Sequence, residues 1–237
     1  MTAMPTTFTY AGRALPYSAR FSDRTTLEIS VLPDGDVEVV APIGTAREAI
    51  ESRLRKRGKW ILAQQRYFHQ FKPRIPARRF VGGETHLYLG RQYRLKLSAG
   101  TVQSVKLKGG YFCIETDDPR DGEHIKSLLA NWYREKAALK LRERYAAIAP
   151  KFERLIGEVP PLSLRPMKRR WGSYSPSGRI TLNTDLIRAP SACIDYVVAH
   201  ELAHAVHPNH GKAFFKLLDT VMADWALRKS RLERLLA

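Results

Sequence analysis

His200-Glu201-Leu202-Ala203-His204, with His210 six residues further on, decides how this chain is read. Residues four apart on a helix lie one turn apart on the same face. A helix here sets the imidazoles of His200 and His204 side by side, at a separation suited to two nitrogens on one small cation. Glu201 falls at the edge of that face, where its carboxylate reaches a metal-activated water rather than the metal. Ile194, Tyr196, Val197, Val198 and Ala199 precede the motif, and Ala203, Ala205 and Val206 fill it in. That apolar stretch predicts a buried helix, where a His-Glu-His cluster needs a partner to offset its desolvation. Pro208-Asn209 and Gly211 supply turn chemistry, so His210 arrives from another direction. Three protein ligands with one open position form the pattern of a catalytic zinc rather than a structural one. The expectation is a zinc-dependent hydrolase, with His200, His204 and His210 on the metal and Glu201 as general base.

The third ligand has rivals. His207 is three residues after His204, but three ligands in a row along one straight helix do not surround a tetrahedral ion. Asp219, on the next helix, is a more remote acidic choice. A second donor usually helps to hold a developing oxyanion. His207, Tyr174 and Arg165 are the candidates, in no order the residues settle.

Composition narrows the partners. The 237 residues suffice for one large domain or two small ones. Lys and Arg total 40 against 23 Asp and Glu, for a net charge of +17. This bias favours an anionic partner, such as nucleic acid, a nucleotide or another phosphate-bearing substrate. Arg53, Arg55, Lys56, Arg57 and Lys59, with Trp60, Tyr67 and Phe68 nearby, offer one phosphate-binding face. A solvated helix face reads the same way. Cys113 and Cys193 form no C-x-x-C pair, which argues against a disulfide framework or a cysteine zinc site and suits a reducing compartment. The start of the chain has no basic and apolar pair of segments of the kind that directs secretion. No run approaches the roughly 18 apolar residues of a membrane span. A cytoplasmic protein without a membrane partner is expected.

The fold class predicted is α+β. Residues 1–120 read as strand-rich, with one basic helix from Ala46 to about Gln70. Leu27 to Val31, a turn at Pro33-Asp34-Gly35-Asp36, and Val37 to Val40 make a hairpin signal. Further strands fall at 85–89, 93–97, 102–107 and 111–114, punctuated by glycines. Residues 121–237 open on a long helix to about Ala149, with Leu128, Leu129, Trp132, Tyr133 and Leu141 as its apolar set. Short strands at 162–165, 172–174 and 179–182 lead to a helix start at Pro190-Ser191. A helix through Phe214, Phe215, Leu217, Leu218 and Val221 follows His210. The strand Arg179 to Asn183 is a candidate cleft edge, where an extended peptide could pair. No internal repeat is evident in the sequence.

These residues resemble a known family. Arg165-Pro166-Met167-Lys168-Arg169-Arg170-Trp171-Gly172-Ser173 is similar to the R-x-x-K-x-R-W-G-S signature of the YgjP-like metallopeptidases, relatives of the WLM and SprT-like proteins. Leu182-Asn183, Leu186, Pro190, Asp195 to Val198 and the H-E-x-x-H continue the pattern. Asn209-His210 with Phe214-Phe215 resembles the family's N-H-S-x-x-F-W segment. Gly83-Glu84, Leu89-Gly90 and Tyr93-Arg94-Leu95 resemble its amino-terminal half. The resemblance implies a zincin-like catalytic domain over 121–237, zinc on His200, His204 and His210, Glu201 as base, and a peptide or protein substrate. Tyr174 stands where the family usually has cysteine, and Gly211 where it has serine.

Two other functions compete. A zinc-dependent hydrolase of nucleotide phosphoanhydrides would use the same site, although no G-x-x-x-x-G-K loop is present. A DNA-associated protease acting on nucleic-acid-bound protein would use the basic helix as well, as the WLM and SprT-like resemblance suggests.

Overall fold

The computed structural model describes residues 6–32, 35–69, 78–167 and 170–236. Of the expected features, Pro33-Asp34 in the first turn and Lys168-Arg169 in the signature lie outside the described residues. The chain forms two compact units, residues 1–75 and 76–236.

Unit 1 contains β1 (Thr6–Tyr10), β2 (Arg13–Ser22), β3 (Glu28–Val31), β4 (Val37–Pro42) and the helix α1 (Arg47–His69). The strand order is β1-β2-β4-β3. β1 and β2 form an antiparallel hairpin, β2 runs parallel to β4, and β3 returns antiparallel to β4. One face of α1 supplies Ile50, Leu54 and Ile61 to a core with Phe8, Tyr17, Val37 and Val39. Gly58 completes that face, because Tyr10 lies where its Cβ would be, 2.2 Å from the nearest ring atom.

Unit 2 opens on β5 (Thr85–Tyr88), β6 (Arg91–Ala99), β7 (Ser104–Lys108) and β8 (Tyr111–Thr116), followed by the helix α2 (Gly122–Ile148). Its sheet has the order β5-β6-β8-β7, with β6 and β8 parallel and both outer pairs antiparallel. This is the topology of unit 1 over again, down to the long helix that follows. The first hairpins correspond residue for residue. Tyr10-Ala11-Gly12-Arg13 and Tyr88-Leu89-Gly90-Arg91 both turn through two residues at positive φ, 49° and 75° in one and 47° and 77° in the other. Such two-residue turns match the twist of the flanking strands. In each copy the tyrosine packs on the following helix, Tyr10 on Gly58 and Tyr88 against Trp132 at 4.9 Å between ring centroids. The structure thus reveals a repeat that is faint in the sequence, where little more than Y-x-G-R survives.

The helix α2 buries Leu129, Trp132, Tyr133, Ala137 and Leu141 in one cluster with Leu95, Phe112 and Ile114 of the sheet. This shared core is why the units divide at 75/76, whereas the sequence suggested a boundary at 120/121. Beyond α2 come α3 (Glu153–Ile156), β9 (Leu162–Arg165), β10 (Gly172–Tyr174) and β11 (Ile180–Asn183). The helices α4 (Ser191–Val206), α5 (Lys212–Val221) and α6 (Trp225–Leu236) end the chain. The three-stranded sheet has the order β10-β11-β9. The fold class is α+β, as the sequence predicts. No helix among the described residues is long and apolar enough to cross a membrane.

Candidate metal centre

The helix α4 is almost wholly buried, from Cys193 to Ala199 and again at Glu201, Leu202 and Ala203. Its position is fixed from α2. Arg144 donates through Nε and Nη2 to both oxygens of Asp195, each at 2.6 Å, and Arg228 Nη1 stands 3.7 Å from Oδ2. A two-pronged guanidinium contact sets orientation as well as distance. Asp195 is 7% exposed, so deleting its carboxylate would strand a guanidinium in a poorly hydrated place. Asp195→Ala is expected to cost about 3 kcal/mol of stability, at the low end for a buried pair because Arg144 keeps some solvent contact. A denaturant titration followed by far-UV circular dichroism checks this.

The helix ends where its sequence requires. Pro208 disfavours helical backbone at the residue before it. His207 is accordingly extended, at φ −129° and ψ 100°, and its N–H closes the last turn on the carbonyl of Ala203. This removes His207 from the ligand face. Its role is different: its carbonyl lies 3.3 Å from Nδ1 of His204. Accepting a hydrogen bond from Nδ1–H there leaves the Nε2 lone pair of His204 free, the usual way an outer partner orients an imidazole.

After Pro208 the chain turns through Asn209, whose carbonyl accepts from the N–H of Gly211 at 2.8 Å, and returns His210 to the helix. One ring nitrogen from each of His200, His204 and His210 falls in a group spanning no more than 4.8 Å. The Nε2 atoms of His200 and His210 are 3.1 Å apart. Two nitrogens at zinc-bond length and tetrahedral angle would be about 3.3 Å apart. Phe214 of α5 packs against all three rings, with centroids 5.1, 4.7 and 4.7 Å away.

The donor set fits a small divalent cation. Burial, with His204 and His210 nearby, pushes His200 down to about 3, and burial also lowers His204 and His210. All three rings are therefore neutral at pH 7, with lone pairs to offer. Nδ1 of His200 is buried without a hydrogen-bond partner. The ring is therefore left to find its partners through Nε2, the atom that faces His210. Three convergent neutral imidazoles suit zinc and neighbouring first-row ions.

Glu201 lies beside this cluster and is 6% exposed. Burial raises its carboxyl to about 7, opposed by a hydrogen bond from the backbone N–H of Tyr174 and by the charge of Arg170. Its wall is Gly172. A Cβ at Gly172 would stand 2.6 Å from Oε1 of Glu201 and 2.7 Å from its Cγ, so only glycine leaves the carboxylate its place. Met167 and Arg170, ahead of β10, are clasped by Asn183, which is 2% exposed. Its Nδ2 donates to the carbonyls of Met167 and Arg170 at 2.8 and 3.1 Å, and its Oδ1 accepts from the N–H groups of Met167 and Asp185. Every donor and acceptor of the buried amide is thereby used.

A cleft of about 730 Å³ opens over the cluster, lined by Arg170, Ser173, Tyr174 and Pro176 besides Glu201 and the three histidines. Of the oxyanion candidates, Tyr174 lines it, while Arg165 and His207 do not. Arg170, absent from those candidates, does. Asp219 accepts from Nε1 of Trp225 at 2.7 Å and stands apart from the histidine group. The edge strand at the cleft is β10, not the expected 179–183 segment. That segment forms β11, which is paired on both sides. Gly172, Asn183 and Arg170 were not predicted as functional residues. They appeared only within the family-like segments, since a glycine or a buried amide shows its purpose only through its neighbours.

The family model for the YgjP-like metallopeptidase domain matches residues 25–235. The chain belongs to the YgjP-like family. Membership makes it a metal-dependent peptidase in general terms. No curated protein matches the chain. Among solved structures, this YgjP-like chain is similar to the metallopeptidase zymogen of Pyrococcus abyssi abylysin, at 20% identity over 39% of this chain and 94% of that one. The TM-score is 0.35, too low to support any argument about the site.

Proposed function

We propose that the protein is a zinc peptidase in which His200, His204 and His210 hold the ion and Glu201 is the general base. The observation that supports this best is the convergence of three neutral imidazole nitrogens beside a buried carboxylate. When bound, zinc supplies Lewis acidity, lowering the pKa of water toward about 7 and polarising the carbonyl under attack. Glu201 takes the proton that water loses and passes it to the leaving amine. The backbone N–H of Tyr174 and the wall at Gly172 hold the carboxylate in place during both transfers. An extended peptide lies along β10, using the free edge of that strand. Unfolded casein and a peptide library test the reading. Cleavage should vanish on chelation, return with one equivalent of zinc, and be absent in His204→Ala, which should no longer retain the ion. Release of phosphate from nucleotides without peptide cleavage would overturn it.

A second reading concerns unit 1. The outer face of α1 exposes Arg53, Lys56, Arg57 and Lys59, together with Trp60 at 39%. Among the described residues no carboxylate pairs with these four cations, whereas Arg47 and Arg55 are both engaged by Glu51. The side chain of Phe68 lies outside the described residues. We infer a nucleic-acid-binding face there, which would bring the peptidase to DNA-bound protein. Four neutralised phosphates give a log–log salt slope of about −3 to −4 on duplex DNA. Fluorescence anisotropy should show that slope, and reversing Lys56 and Lys59 to Glu should roughly halve it. A salt-independent or absent signal would dismiss this role.

A further inference from the structure

Unit 1 holds a cavity of about 300 Å³ at the end of α1, lined by Arg13, Leu62, Gln65, Arg66 and His69. Two elements supply its nitrogen donors. Arg13 opens β2, while Arg66 and His69 stand on the last turn of α1. Leu62 gives the cavity an apolar side and packs against the core of the unit. Gln65 is held in place, its Nε2 donating to the carbonyl of Gly35 at 2.7 Å. No carboxylate is in the lining. Among the described residues, the side chains of Arg13, Arg66 and His69 make no ion pair or hydrogen bond. Arg24, Arg47 and Arg55 of the same unit are instead held by Glu28 and Glu51.

The last turn of a helix favours cations in any case, since its free carbonyls carry about half a negative charge. That accounts for Arg66 and His69 but not for Arg13. Two guanidinium charges also exceed this half charge, so the cavity attracts anions. A carboxylate would be saturated by one guanidinium, because its two oxygens match a single fork. Two forks and an imidazole N–H suit an anion with more oxygens and more charge. A phosphate monoester presents three acceptor oxygens and about two negative charges. The cavity also continues the basic face of α1. Lys59, Leu62, Arg66 and His69 follow one another at spacings of three or four, which sets them along one side of the helix. Trp60 is exposed next to Lys59.

We propose that this cavity binds a phosphate monoester, supplied by the phosphorylated end of a nucleic-acid strand that lies along α1. The strand rests on the nucleic-acid reading of unit 1 given above, whereas the phosphate rests on the cavity alone.

Short single strands of one sequence, carrying a 5′-phosphate, a 3′-phosphate or hydroxyls at both ends, provide the test with the full chain. Fluorescence anisotropy should show one phosphorylated strand binding about tenfold or more tighter than the hydroxyl strand, the yield of one charge-assisted hydrogen bond. Arg13→Ala and Arg66→Ala should each bring that ratio within about threefold, with an unchanged far-UV circular dichroism spectrum. Lys56→Glu combined with Lys59→Glu should weaken all three strands alike and leave the ratio standing. Equal binding of the three strands by the wild type would overturn the cavity assignment and leave the basic face intact. A nucleoside monophosphate, titrated by calorimetry, separates the two readings from the other side. Heat that disappears in Arg66→Ala, with no strand bound at all, would keep the phosphate site and remove the nucleic-acid reading. A phosphoserine peptide bound more tightly than either phosphorylated strand would overturn the choice of a strand end.

Discussion

Glu201→Gln is expected to lower peptide hydrolysis by about 10³-fold while one divalent ion per chain is retained. The amide has nearly the shape of the carboxylate, so the crowded contact with Gly172 should be kept. What is lost is the basic oxygen that accepts a proton from water. Burial places this carboxyl near 7 in the metal-free protein, and a cation close by would favour its ionised form. The neutral amide has no such form. Metal content by elemental analysis and kcat/KM on one peptide check the pair of outcomes. Loss of the ion together with activity would mean that Glu201 holds the metal rather than the proton. Unchanged hydrolysis would remove the residue from the mechanism.

Gly172→Ala is expected to lower kcat by about 10²-fold, with metal again retained. The added methyl group would stand 2.6 Å from Oε1 and 2.9 Å from Cδ of Glu201, inside the range at which something must move. The helix α4 is buried and cannot yield readily, so the displacement falls on the carboxylate or on β10. Either one breaks the alignment of base and water, and a misplacement of about 1 Å is enough for the predicted loss. Gly172 also lines the cleft, so KM should change as well. Equal kcat in wild type and variant would show that the loop relaxes freely, and that the clasp by Asn183 does not fix it.

The convergence of the three histidines is legible in the sequence because helical periodicity and proline chemistry are local. The interval from His200 to His204 needs only the pitch of a helix, and Pro208 both ends that helix and redirects the chain to His210. The rejection of His207 as a ligand follows from the same residue. What lay hidden depends on contacts between distant segments. Gly172 and Glu201 are far apart in sequence, and nothing about a glycine names the carboxylate pressed against it. Asn183 reads as a strand end until the carbonyls of Met167 and Arg170 are seen around its amide. The first hairpin was missed for a local reason: Pro16 and the polar residues Arg13, Ser18 and Arg20 dilute the strand pattern, although Pro16 sits in β2 opposite Thr7. The helix α6 buries little besides Leu232 and so carries a weak apolar stripe. The division at 75/76 follows from a sheet and a helix sharing one core, which no compositional shift marks.

The doubled ββββα pattern has a mechanical consequence. In the second copy the turn at Leu89-Gly90 is bolted down. Its two N–H groups donate to the carbonyls of Ile187 and Arg188, and a methyl group at Gly90 would strike Pro190, the residue that caps α4. In the first copy a methyl group at Gly12 would touch nothing. The second copy therefore serves as a bracket for the histidine-bearing helix. Wear on the bracket would be felt at the histidine cluster that this helix carries.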